Sequence, residues 1–115
     1  MRSLTVVGGL YDGKVIPLKV AQFKIGRGPS CLLRPASEDV AMLHTTILSY
    51  NDGKCFAADA GTKDGTLVNG RCLIGGQIQL MDGDEITVGP LVFRFSSLDA
   101  NQMPRANDTV AMTPA

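Results

Sequence analysis

Apolar and polar residues alternate over short stretches that recur about every ten positions between turn signals, the pattern of half-buried strands in a sandwich or barrel. Eight stretches read this way: Leu4–Val7, Lys14–Leu18, Gln22–Ile25, His44–Tyr50, Lys54–Ala58, Gln77–Leu80, Glu85–Val88 and Leu91–Phe95. Gly8-Gly9, Asp12-Gly13, Asn51-Asp52-Gly53, Asn69-Gly70 and Asp82-Gly83 separate them, residue types that tolerate the positive φ of tight turns. Consecutive strands are therefore expected to pair antiparallel. No long helical period competes. The segment SEDVAML, Ser37 to Leu43, opens on a capping residue but lacks the acidic residue or glutamine three positions on that completes a capping box, and it reads as loop.

Residues 28–43 and 59–70 interrupt this meander with Pro, Gly, Ser and charged residues. Loops on a regular β scaffold are where recognition is usually built, so these two regions carry the functional expectation. After Ser97 the chain is polar, with two prolines and no sustained period, which predicts one domain over 1–98 and a disordered tail over 99–115.

Composition narrows the function classes. With 115 residues, 44% of them hydrophobic, there is material for one core. Eleven basic residues balance eleven acidic ones, so no bulk field recruits nucleic acid or an anionic membrane, and any anion site must be local. No apolar run approaches the roughly 18 residues of a membrane span and the first residues have no signal-peptide pattern, so the expected location is cytoplasmic. Cys31, Cys55 and Cys72 form no CxxC pair and read as reduced packing thiols, with no disulfide framework or metal site and no cofactor.

Four motifs follow one another in order: IGRGPS (Ile25 to Ser30), VAMLH (Val40 to His44), DAGTKDGTLVNG (Asp59 to Gly70) and LMDGDEITVG (Leu80 to Gly89). In that order and spacing they resemble the forkhead-associated (FHA) domain, over roughly Ser3 to Ser97. The resemblance implies a sandwich of two antiparallel or mixed sheets with about eleven strands. It also implies loops at one end that grip an extended phosphothreonine peptide in signalling, and termini at the other end.

A phosphothreonine brings about −1.5 to −2 charges and several strong acceptors, so its pocket needs a fixed guanidinium, hydroxyl or backbone donors, and an amide for the peptide main chain. Arg27 supplies the guanidinium, whose planar fork suits two phosphate oxygens better than an ammonium. Three positions depart from the family pattern. Ala41 and Met42 stand where the family has a phosphate-contacting serine and an often basic residue, and Asp64 stands where it has an asparagine that both donates to and accepts from the peptide. Losing one hydrogen bond to a charged group costs about 1.5–3 kcal/mol. A carboxylate ~7 Å from the phosphate adds repulsion of about 2 kcal/mol per unit charge at an effective dielectric near 20. Together the departures remove on the order of 3–5 kcal/mol, or roughly two to four decades of affinity. Lys63 is placed either to reach the anion, to neutralise Asp64, or simply to face solvent.

The remaining motif residues read as structural. The resemblance assigns His44 to bracing the recognition loops through one donor and one acceptor nitrogen. Gly26, Gly65, Thr66, Asn69 and Gly70 are expected to shape the loops, the threonine and asparagine through local side-chain bonds and the glycines through backbone freedom. Asp82, Asp84 and Glu85 lack EF-hand spacing and read as a tight turn. No local signature of a nucleophile and base accompanies the single histidine, so the chain reads as a binding module and not an enzyme. Two functions stand side by side: a phosphothreonine reader, and a divergent module that binds a protein partner without phosphate as an assembly piece. A phosphorylated Thr109 in the tail would supply a ligand of the protein's own. Twelve residues from Ser97 reach ~40 Å extended but only ~20 Å as a coil, which favours a neighbouring molecule over the same one.

Overall fold

Strands form where the alternation predicts them, and at two further places. The computed structural model describes residues 2–97 and contains ten strands and no helix among them. They are β1 (Ser3–Val7), β2 (Val15–Pro17), β3 (Gln22–Ile25), β4 (Thr45–Ser49), β5 (Cys55–Asp59), β6 (Thr66–Val68), β7 (Arg71–Leu73), β8 (Gln77–Leu80), β9 (Glu85–Val88) and β10 (Leu91–Ser96). β6 and β7 lie in a stretch that contains only three-residue runs, too short to show a period. The tail and Thr109 lie outside the described residues. Ser37 starts a turn and no helix: its hydroxyl accepts the Asp39 N–H at 3.2 Å, and its carbonyl accepts from Val40.

Two sheets face each other, one in the order β2-β1-β10-β9-β6-β7 and one in the order β3-β4-β5-β8, with every strand pairing antiparallel. The expectation that consecutive strands pair holds for β1–β2, β3–β4, β4–β5, β6–β7 and β9–β10 only. The chain instead crosses between the sheets after β2, β5, β7 and β8, because each sheet buries one face and needs the other sheet to cover it.

Inward positions at every second residue build the core: Phe23 and Ile25 on β3, Ile47 on β4, Cys55 and Ala57 on β5, Ile86 and Val88 on β9, Phe93 and Phe95 on β10, and Leu4 on β1. Register fixes the polarity of the sandwich. Ser3 lies opposite Ser96, so both ends of the described chain sit at one end. Ile25, Thr45, Asp59, Thr66, Val88 and Leu91 mark the other. The connections β3–β4 and β5–β6, the two regions singled out above, both emerge there. Cys31 and Cys55 are buried as expected, but Cys72 is exposed because β7 is an edge strand with one open face. No helix among the described residues is long and apolar enough to cross a membrane.

Candidate loop-end binding site

At the loop end the inward column of β4, β5 and β6 ends in polar residues, Thr45, Asp59 and Thr66, all buried. They are hydrogen-bonded to one another across the two sheets, as buried polar groups must be. Asp59 is only 6% exposed and its carboxylate accepts five bonds. Oδ2 takes the N–H groups of Gly61, Thr62 and Gly75, each at 2.9 Å. Oδ1 takes the hydroxyls of Thr62 at 2.8 Å and Thr66 at 2.9 Å. Because the Thr66 hydroxyl donates to Asp59, Thr45 must be the donor in the 2.6 Å contact between the two threonines. Burial by itself would raise the Asp59 pKa. The Gly75 N–H, the hydroxyl and N–H of Thr62 and the Thr66 hydroxyl outweigh it and hold the carboxyl below its ordinary value of 3.8. The Thr62 oxygen in turn accepts the Gly65 N–H at 3.0 Å, so one carboxylate organises the whole β5–β6 loop.

The β3–β4 loop is held differently. Its returning limb pairs with the extension of β3 through main-chain bonds: Arg27 N–H to Ala41 O at 3.0 Å, Gly28 N–H to Met42 O at 2.9 Å and His44 N–H to Ile25 O at 2.9 Å. The two strands of this loop approach so closely that a Cβ on Gly26 would run into the Met42 carbonyl, and one on Gly28 would lie 2.8 Å from its oxygen. The buried thiol of Cys31 also points at that oxygen, 3.3 Å away.

His44 joins the loops. The Ala41 N–H can only donate, so Nδ1 accepts it at 3.1 Å and Nε2 carries the proton, donating to Gly65 O at 2.9 Å. Gly65 itself adopts φ 76°, and a Cβ there would meet the Cys72 sulfur and the Leu73 carbonyl oxygen at 2.7 Å. On this braced platform Arg27 is exposed. Its Nε–H donates to the Val40 carbonyl, which fixes the guanidinium and leaves its two terminal amino groups for a ligand. Met42, Lys63 and Asp64 are also exposed, and among the described residues the side chains of Lys63 and Asp64 make no hydrogen bond or ion pair. Ala41 is half-buried; its methyl cannot donate and its N–H is committed to His44.

Two of the loop-shaping expectations are corrected. Asn69 and Gly70 form the β6–β7 turn at the opposite end of the sandwich, with φ of 51° and 82°. The Asn69 side chain donates to Asp84 Oδ1 and accepts the Glu85 N–H, both at 2.9 Å, and so ties that turn to the β8–β9 turn. The three residues of β6 carry the chain away from the loop before Asn69 is reached. Conversely, Asp59, Thr62 and Thr45 were not among the residues singled out from the sequence. The signal that could have found them is the alternation itself, which puts Cys55, Ala57 and Asp59 on one face of β5 and gives a carboxylate an inward position.

The FHA domain model matches residues 23–89, more than half of the chain and both loops. The chain belongs to the FHA family. Its fold superimposes on the FHA domain of the CT664 protein from Chlamydia trachomatis with a TM-score of 0.74 at 23% identity, covering 83% of this chain and 95% of that one. The FhaA FHA domain, solved as a complex with the intracellular domain of Rv3910, gives a TM-score of 0.71 at 26% identity over 83% of this chain and 99% of that one. Mycobacterium tuberculosis EmbR, solved with a low affinity phosphopeptide, gives 0.74 at 23% identity, and the matched region is 83% of this chain but only 24% of EmbR. No curated protein matches by sequence.

Proposed function

We propose that this FHA domain is a protein-interaction module that binds a threonine-phosphorylated partner in extended form at its loop end, acting by binding and not by catalysis. The observation that carries the reading is Arg27. It stands on the platform that His44 and Asp59 brace, with Nε anchored and its terminal amino groups exposed. An anchored guanidinium loses less freedom when it forks onto two phosphate oxygens than a free one would. Relatives solved with a protein domain and with a phosphopeptide support the class of ligand.

A second reading, binding without phosphate, is favoured by one specific feature. At position 41 neither side chain nor N–H is free to donate, and the exposed Asp64 carboxylate adds negative charge on the second loop. The two readings part in one titration of labelled protein, followed through backbone amide shifts, with matched phosphorylated and unphosphorylated threonine peptides. The tail sequence around Thr109 is a suitable first ligand. Shifts at Arg27 and Lys63 with the phosphopeptide alone support the first reading; equal shifts with both forms support the second. Restoring the family side chains with Ala41→Ser and Asp64→Asn raises phosphopeptide affinity about tenfold or more.

A further inference from the structure

A sheet leaves main-chain donors and acceptors open along its edges, and an uncovered edge invites pairing with another strand. This sandwich has four edge strands, β2 and β7 in one sheet and β3 and β8 in the other. Three of them are blunted. β2 contains Pro17, which has no N–H to offer. β3 is covered by residues 32–33: the Leu32 N–H donates to Lys24 O at 3.0 Å, the Gly26 N–H donates to Leu33 O at 3.0 Å, and Leu33 bridges Ile25. β7 is only three residues long, and its Arg71 lies opposite the inward-facing Val68, so the strand carries an inward charge. β8, Gln77-Ile78-Gln79-Leu80, has no proline, no charge and no cover.

The ladder fixes which groups of β8 are open. The Asp59 N–H donates to Gly76 O at 2.9 Å, and bonded pairs alternate along an antiparallel ladder, so Gly76, Ile78 and Leu80 bond to β5. The N–H and carbonyl of Gln77 and of Gln79 point away from β5, and no loop main chain among the described residues bonds to them. The edge ends at Met81, whose N–H is held by Asp84 Oδ2 and whose carbonyl accepts the Asp84 N–H. Beside the strand, Ile78 shares a hollow with Val68, Arg71 and Asp84. Arg71 and Asp84 form no ion pair with each other or with any described residue, and the Asp84 carboxylate is fixed by the Asn69 side chain and the Met81 N–H.

We propose that β8 is a dimerisation edge, to which a second copy of this chain adds its own β8 antiparallel, joining the two four-stranded sheets into one. Residues opposite one another in an antiparallel pair share a face, so the inward Ile78 cannot lie opposite an outward glutamine. Of the registers that remain, one pairs every open group: Gln77 opposite Gln79 of the second copy, with Ile78 opposite its own copy on the two-fold axis. No charge on β8 opposes this, whereas like charges set opposite each other would. The hollow is also self-complementary, since an isologous contact offers its unpaired cation and anion the opposite charges of the second copy. The contact needs nothing from a ligand at the loop end.

The test is sedimentation equilibrium of the full chain, in reducing buffer because Cys72 is exposed, with hydrogen exchange read at the Gln77 and Gln79 amides. The mass is expected to rise from one copy to two with concentration, and both amides to become protected as it does. Gln79→Pro spares the β5 ladder, whose bonds do not use that N–H, and yields a monomer. Should the proline unfold the chain, exposed charges decide. Gln77→Lys with Gln79→Glu sets opposite charges across the axis and still dimerises, whereas Gln77→Lys with Gln79→Lys sets like charges there and weakens dimerisation about tenfold. A mass of one copy at every concentration up to about 1 mM overturns the inference. So does a dimer that survives Gln79→Pro, that leaves the two amides in fast exchange, or that both charge pairs weaken equally. Protection of these amides only on addition of a different protein would assign the edge to a foreign strand and overturn it too.

Discussion

The β3–β4 and β5–β6 loops leave the same end of the same sandwich, yet they are held by different means. The β3–β4 loop is a main-chain construction, with carbonyls of Ala41 and Met42 accepting from Arg27 and Gly28 and glycines clearing the space. The β5–β6 loop is a side-chain construction, with five donors converging on the Asp59 carboxylate. The first kind tolerates changes in most side chains and fails where a Cβ intrudes. The second depends on one ionised group and on its charge. His44 and Thr45, where the first loop ends, bridge the two: the His44 ring joins Ala41 to Gly65, its carbonyl accepts the Ala60 N–H, and the Thr45 hydroxyl meets Thr66.

The largest expected effect follows from removing the second loop's centre. Asp59→Ala strips partners from five donors in a buried site, and leaving buried donors unpaired costs about 1–3 kcal/mol per group before relaxation and water reduce the sum. A net loss of about 3–5 kcal/mol in urea unfolding is the expected outcome. Asp59→Asn restores the shape but presents N–H groups to donors, and it recovers less than half of that loss. In either variant the amide signals of Arg27 and Gly28 move less than those of Thr62 to Gly65. Equal disturbance of both loops would show that they are one construction and not two.

The converse experiment addresses the first loop. Gly26→Ala drives a methyl into the Met42 carbonyl, a main-chain atom that cannot swing aside, so the two limbs must separate. Overpacking of this kind costs about 1–3 kcal/mol. The expected signature is loss of hydrogen-exchange protection at Arg27 and Gly28 with Thr62 and Gly65 still protected.

Much of this was legible in the sequence. β3, β8 and β9 have the bounds that alternation between turn residues predicts, and the order of four motifs placed both loops. Arg27 and His44 were visible because each sits at the edge of a strand whose end could be read. Asp59 was not, since reading β5 as ending at Ala58 moved an inward, sheet-bound residue into a loop, where an aspartate looks solvated. Asn69 failed for the opposite reason. It follows Thr66 closely in sequence, but three strand residues span about 10 Å, enough to carry it toward the other end. Residues that a sequence places side by side can face opposite ends of so short a strand.

Acid offers a milder probe of the same contrast. Because the folded-state pKa of Asp59 is depressed, the folded form binds its proton more weakly than the unfolded chain does. The stabilisation is present in full above the ordinary carboxylate value of 3.8 and is lost as pH falls below it toward the folded-state pKa. Unfolding free energy measured from neutral pH downward is expected to decline through that range more steeply than in Asp59→Asn, which lacks the titrating group. The difference between the two proteins isolates Asp59 from the other carboxylates. Identical slopes would mean that the hydrogen bonds to Asp59 do not favour its charged form.

The smallest effect tests the direction of a single proton. If Thr45 donates to Thr66, and Thr66 to Asp59, then Thr45→Val removes one donor and leaves Thr66 with its essential bond to the carboxylate, at a cost of about 1 kcal/mol. Thr66→Val removes the middle link, so that Asp59 loses a donor and the buried Thr45 hydroxyl loses its acceptor, and about 2–3 kcal/mol is expected. In the double variant the stranded hydroxyl is gone, and the loss should be smaller than the sum of the two single losses by about 1 kcal/mol. Were the direction reversed, with Thr66 donating to Thr45, the carboxylate would keep its four other donors, Thr66→Val would take no donor from it, and the two single variants would cost about the same. Urea unfolding of the three variants therefore distinguishes a chain of bonds that ends on Asp59 from a pair of threonines that merely touch, and only the former makes the second loop depend on one charge.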